Sequence, residues 1–147
     1  MKKIIAVTLA ALAIAGVLMA NGCESLKSPL VDRSWVLTSY ESPDAVVHPV
    51  VAGSKVTALF DSKTGQVTGS GGVNSYGGAF HIDHLSVTVD TITRTEMAST
   101  NPALNQQEND FFKALEKAES YAPDHDAMTI IGGGWTLHFV LETTATP

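Results

Sequence analysis

Beyond residue 33 apolar and polar residues alternate along most of this chain, the pattern of half-buried strands. "SWVLTSY" (34–40) is rich in β-branched and aromatic residues, and "KVTALFD" (55–61) sets Val56, Ala58 and Phe60 on one face. "HLSVTVD" (84–90) alternates Leu85, Val87 and Val89 with polar residues, and "TITRTEM" (91–97) continues the β character. "AMTIIG" (127–132) and "GWTLHFVL" (134–141) predict two more strands, the last with Trp135, Leu137, Phe139 and Leu141 facing one way. "ESPDAVVHPVVAGS" (41–54) carries Pro43 and Pro49 and reads as a loop, or at best an edge strand. "DSKTGQ" (61–66) reads as a turn, with Gly65 placed for a positive φ.

One segment changes period. "NPALNQQENDFFKALEKAESY" (101–121) opens with Asn101 as an N-cap and Pro102 at the first helical position. Leu104, Phe111, Phe112, Leu115 and Ala118 then recur at helical spacing, within a stripe roughly 120° wide. A lone amphipathic helix among about seven or eight short strands predicts the α+β class: a curved antiparallel sheet, or a cracked β-barrel, packed on that helix.

The N-terminus adds a different signal. Lys2 and Lys3 precede an almost unbroken apolar run from Ile4 to Met19, followed by small residues leading to Cys23. That is the layout of a bacterial export signal. Cys23 is the only cysteine, and "ANGC" resembles a lipobox: Gly22 fits, Ala20 is acceptable and Asn21 departs from the pattern. Lipidation of Cys23 is therefore expected. The expected organisation is a lipoprotein signal peptide over 1–22, a tether over 23–32, a domain over 33–142 and a disordered tail over 143–147. Losing Lys2 and Lys3 leaves seven basic residues against fifteen acidic ones, a formal charge of −8. Such a surface excludes nucleic acid as a partner and leaves membrane attachment to the acyl chains.

Candidate chemistry is sparse. "GSGGVNSYGGAF" (69–80) lacks the lysine of a P-loop and the third glycine of the dinucleotide fingerprint. Strand-like residues flank it, so Gly69, Gly71, Gly72, Asn74, Tyr76 and Gly78 are read as a structural corner. His81 and His84 fall on opposite faces of a regular strand, His138 points outward, and His48 and His125 lie in loop or turn sequence. No pair has metal-site spacing, no G-x-S-x-G elbow occurs, and no catalytic residue, metal or cofactor is expected. Glu108 is the exception, because it falls in the middle of the helix's apolar stripe. A carboxylate there must be hydrogen-bonded or partly solvated. The preferred reading is a buried polar contact, Glu108 with N–H groups of the corner or with Arg94, and Thr95 beside them. The other is a titrating group inside a ligand cavity near Phe111, Phe112 and Leu115.

Several elements now stand in order: "W-x-L" (35–37), "G-x-G-G-x-N-x-Y-x-G" (69–78), "T-x-M-A" (95–98), "E-x-x-F-F-x-A-L" (108–115) and "L-x-F" (137–139). Together they resemble the META domain, as in HslJ-like heat-shock lipoproteins of Gram-negative bacteria, over about residues 33 to 142. Many members of that family carry cysteines at the positions of Val73 and Ser99. If those face one another, Val73 and Ser99 are expected close in space. The resemblance implies a small curved sheet or cracked barrel around one helix, with no accepted catalytic residues. It further implies an envelope location and a link to stress or antibiotic tolerance. The resemblance also carries over the enterobacterial sorting rule, by which Glu24 after Cys23, in place of a retention Asp, implies the outer membrane, with the domain facing the periplasm. The expected function is non-enzymatic support of envelope integrity through a protein partner, and the alternative is carriage or sensing of a small hydrophobic ligand.

Overall fold

A computed structural model describes residues 27–143. The signal peptide, Cys23 and residues 144–147 of the tail lie outside the described residues. Ten strands and one helix follow the order β1 (Ser34–Glu41), β2 (Val47–Pro49), β3 (Thr57–Asp61), β4 (Gln66–Ser70), β5 (Ser75–Asp83), β6 (Ser86–Val89), β7 (Thr93–Arg94), α1 (Pro102–Glu116), β8 (Ser120–Asp124), β9 (Ala127–Gly132) and β10 (Trp135–Leu141). All strand pairings are antiparallel, and they run β1–β3–β4–β5–β6–β8–β9–β10 and back to β1. The ring is uneven. β1 and β10 pair along their length, whereas β6 meets β8 at the single pair Ser86↔Ser120. The result is a strongly curved sheet, not a regular barrel, with α1 against it, and the class is α+β as the sequence pattern implied. The strand count exceeds expectation because β2 and β7 are two- or three-residue edge pieces too short to leave a period.

Alternation places the core. Val56, Ala58 and Phe60 are all buried, as are Val87 and Val89, and Leu137 and Phe139. Leu85 breaks its row: it belongs to the turn joining β5 to β6, just after His84 at φ +55°, and stands 56% exposed. Trp135 and Leu141, at the two ends of β10, are half-buried.

The helix begins where its cap requires. Asn101 is extended, and its side chain accepts the Ala103 N–H at 3.0 Å, with Pro102 at the first helical position. Lys117 closes it, so Ala118, read as part of the stripe, is buried from just beyond the last turn. Phe111 is fully buried, edge-on to Tyr76 (5.5 Å between centroids) and Phe139 (6.5 Å). These rings fill the space between helix and sheet.

The domain also takes in residues expected to be tether. Leu30 is fully buried, its carbonyl accepts the Trp35 indole N–H at 2.9 Å, and Val31 bridges to Phe60. Ser28 hydrogen-bonds the Tyr121 hydroxyl at 2.6 Å, so the fold has hold of the chain from Ser28 onward.

Candidate functional site

β4 and β5 pair from Gln66↔Ala79 to Ser70↔Ser75, and residues 71–74 turn the chain between them. Gly71 N–H donates to the Asn74 carbonyl at 2.8 Å, and Gly72 has φ +107°, a conformation that favours glycine. Gly71 is required for another reason: a β-carbon there would lie 2.6 Å from Phe112 Cζ and 2.7 Å from Glu108 Oε2. The turn is thus pressed directly onto the helix. Gly69 and Gly78 belong to the flanking strands, opposite Tyr76 and Val67, and not to the turn itself.

Asn74, 4% exposed, is the hub. Its Nδ2 donates to Glu108 Oε1 at 2.5 Å and to the Met97 carbonyl at 2.9 Å. Its Oδ1 accepts the Thr95 hydroxyl at 2.9 Å and the Met97 N–H at 2.7 Å. Glu108 Oε2 accepts the N–H groups of Val73 (3.0 Å) and Asn74 (2.6 Å). One carboxylate and one carboxamide therefore tie together the turn, the helix and the 95–97 segment. The segments carrying Val73 and Ser99 meet through this link, one and two residues away.

The expected Glu108–Arg94 contact is not made. With three donors from the corner already on Glu108, the Arg94 guanidinium lies outside over the Phe112 ring, 5.0 Å from its centroid, and donates to Asn109 Oδ1 at 3.3 Å. An exposed guanidinium keeps its hydration there, which burial beside Glu108 would remove. Thr95 does join the cluster, through Asn74. Phe111, Phe112 and Leu115, named for a ligand cavity, are 0%, 4% and 0% exposed. Tyr76, edge-on to both phenylalanines, hydrogen-bonds the Thr57 carbonyl at 2.8 Å, and its burial raises the phenol pKa.

Two buried polar side chains of α1 had no place in the sequence reading. Gln107 Oε1 accepts the Val51 N–H at 2.6 Å and its Nε2 donates to Ser54 Oγ at 3.0 Å, which pins the proline-bearing segment to the helix. Asp110 accepts from Tyr40 (3.3 Å) and Gln106 (2.9 Å). Burial first, then the Asp110 charge and hydrogen bond, push the Tyr40 phenol up to about 12. The only hint in the sequence was that Gln107 falls at the border of the stripe holding Glu108, with Asp110 one turn further on the same side.

Ser42, Asp44 and His48 also come together. Ser42 Oγ lies 2.5 Å from Asp44 Oδ1 and 3.1 Å from His48 Nε2. The Ser42 hydroxyl donates its one proton toward that carboxylate, with the Val46 carbonyl also within reach at 3.2 Å, and His48 is further held by stacking on Tyr40 at 4.9 Å. A nucleophile needs the base on the serine and the acid on the base, which is the reverse arrangement. His81, His84 and His125 are exposed, each facing an aspartate, and His125 is raised by its hydrogen bond to Asp124. Among the described residues no three His, Cys, Asp or Glu side chains converge as metal ligands would.

Beside the hub lies a cleft of about 390 Å³ between α1 and the 94–98 segment, floored by Asn74 and Glu108 and walled by Asn105 and Asn109. Met97, 63% exposed, stands at its edge. Every buried side-chain nitrogen and oxygen among the described residues has a hydrogen-bond partner.

Comparison with known proteins bears on this arrangement. A solved structure from Burkholderia xenovorans is 26% identical, with a TM-score of 0.67, over 78% of this chain and 85% of that one. A second structure, solved like the first by NMR, matches at 20% identity and a TM-score of 0.59, over 76% and 91% of the two chains. A DUF4847 family protein from Bacteroides vulgatus, at 15% identity and a TM-score of 0.52 over 76% and 94%, shares the fold. A comparison with curated proteins returns no match. The META domain model matches residues 28–144, taking in every strand and the helix, Leu30 as well as the glycine corner, and the chain belongs to the META domain family.

Proposed function

We propose that this META domain is a non-enzymatic lipoprotein of the Gram-negative outer membrane, anchored at Cys23 and facing the periplasm. There it supports envelope integrity or stress tolerance by binding a protein partner. The observation that carries the reading is the Asn74–Glu108 hub, whose hydrogen bonds are all internal and which holds exposed Met97 and a polar cleft in fixed relation to the helix. A preorganised surface with an exposed apolar side chain at a polar rim suits protein recognition. The filled helix–sheet interior supports a partner over a hydrophobic ligand, because Phe111, Phe112 and Leu115 occupy the space a ligand would need.

The test is isolation of the anchored protein from its own envelopes in mild detergent, with proteins and lipids identified together by mass spectrometry. A stoichiometric protein that is lost with Met97→Asp, while the domain stays folded, is the expected result. A stoichiometric small hydrophobe without a protein would put the carrier role first.

A further inference from the structure

The end of the domain away from the hub has its own cleft. It is an open groove of about 800 Å³ between the incoming chain and the β5–β6 hairpin, with Lys27, Pro29, Phe80, Ile82, Leu85 and Tyr121 on its walls. Leu85 stands 56% exposed at the hairpin tip. We propose that this groove and hairpin tip form the face that lies on the phospholipid surface of the anchoring membrane, so that the hub is held away from it. The proposal rests on the lipid anchor at Cys23.

Chain length carries the argument. Lys27 is already at the groove, in an ion pair with Asp32, and Leu30 is locked into the core. Four Cα–Cα steps lead from Cys23 to Lys27, a span of at most about 14 Å when fully extended. An anchor at Cys23 therefore keeps the groove within that distance of the lipid headgroups. β5 fixes the other end: Asp83 borders the groove, while Ser75 adjoins Asn74 of the hub. Its nine residues set the two about 25 Å apart.

The side chains of this face suit a lipid surface. Leu85, Ile82 and Pro29 are apolar, and Lys27, His81 and His84 each face a carboxylate, Asp32, Asp90 and Asp83. With histidines counted neutral, as in the mature chain's −8, this face sets one cation, Lys27, against three carboxylates, Asp32, Asp83 and Asp90. The apolar side chains, and not the charge, are therefore what suit this face to the headgroup region. Leu85 and Ile82 carry no charge of their own into the headgroup region.

The experiment uses the full lipidated chain in vesicles of phosphatidylethanolamine and phosphatidylglycerol. With the Cys23 thiol occupied by lipid, Asp83→Cys or Met97→Cys supplies one site for a fluorophore. Quenching by nitroxide-bearing lipid should be several-fold stronger at position 83 than at 97, and Leu85→Glu in the Asp83→Cys background should weaken it. Equal quenching at both positions, or none at 83, overturns the orientation while leaving the anchor intact. Intact mass reads the anchor separately. An unmodified Cys23 would overturn the anchor and this proposal together.

Discussion

Glu108 and Asn74 grip one another twice: Glu108 Oε1 accepts from the Asn74 side-chain amide at 2.5 Å, and Oε2 accepts from its backbone N–H at 2.6 Å. The same Oε2 takes the Val73 N–H at 3.0 Å. This buried carboxylate of α1 is held by the 71–74 turn, and its removal leaves buried donors with nothing to bind.

Glu108→Ala should therefore destabilise the domain by about 3 kcal/mol or more, since charged hydrogen bonds are lost and polar groups are orphaned together. Glu108→Gln should cost less, about 2 kcal/mol, because its carbonyl oxygen still serves one side while its amide meets the Asn74 donor. A double-mutant cycle with Asn74→Ala, read by urea unfolding, should give a coupling of about 1–3 kcal/mol. Additive single effects would show that the pair does not act as a unit.

How far the sequence reached is visible in this pair. Glu108 was legible because helical periodicity puts one carboxylate among apolar side chains, and the glycines beside Asn74 marked a bend without revealing its depth. Arg94 was misassigned because charge complementarity in sequence says nothing about solvation, and the guanidinium keeps its water by lying on Phe112. Leu85 misled in a similar way, since alternation cannot tell a turn residue from the first inward residue of a strand. Gln107 went unread because its partners, Val51 and Ser54, are more than fifty residues away. The ring of strands followed from the period-two pattern, but its weak seam at Ser86↔Ser120 depends on a register that local sequence does not carry.

Gly71 should resist substitution on steric grounds alone. A β-carbon there would meet Phe112 Cζ at 2.6 Å and Glu108 Oε2 at 2.7 Å, so either the turn or the helix must move. Gly71→Ala is expected to cost about 1–3 kcal/mol. Gly77→Ala, where the nearest atom is an ordinary 3.7 Å away, should be neutral or stabilising by up to about 1 kcal/mol. Thermal melts of the two variants check the contrast, and similar losses would place the effect in the backbone and not at the helix contact.

The stretch from Ser28 to Val31 should count as part of the domain. Leu30→Ala leaves a cavity at a fully buried position and should cost about 2–4 kcal/mol. A chain beginning at residue 33 loses Leu30 and Val31 from the core together with the acceptor of the Trp35 indole N–H. Its Trp35 emission should shift to longer wavelength, and its unfolding midpoint should fall below that of a chain beginning at residue 27. Equal midpoints would return these residues to the tether.

Alkaline titration tests the other side of α1. Tyr40 is raised from 10.0 to about 12 by burial and then by the Asp110 charge and hydrogen bond, and burial raises Tyr76 as well. The folded state thus holds phenolic protons that the unfolded chain gives up near pH 10, so these groups add stability that is complete below pH 10. For Tyr40 that contribution is lost as pH rises from 10 toward 12, and unfolding frees the phenols to ionise. Neither Tyr40 nor Tyr76 should contribute phenolate absorbance near pH 10 while the far-ultraviolet circular dichroism is still native. Asp110→Asn removes the negative charge beside Tyr40 and should bring that residue's ionisation to lower pH without reaching the exposed value, because burial is the larger cause. Ionisation of Tyr40 and Tyr76 near pH 10 with the fold intact would mean that both are open to water, and the packing of α1 on the sheet would need to be redrawn.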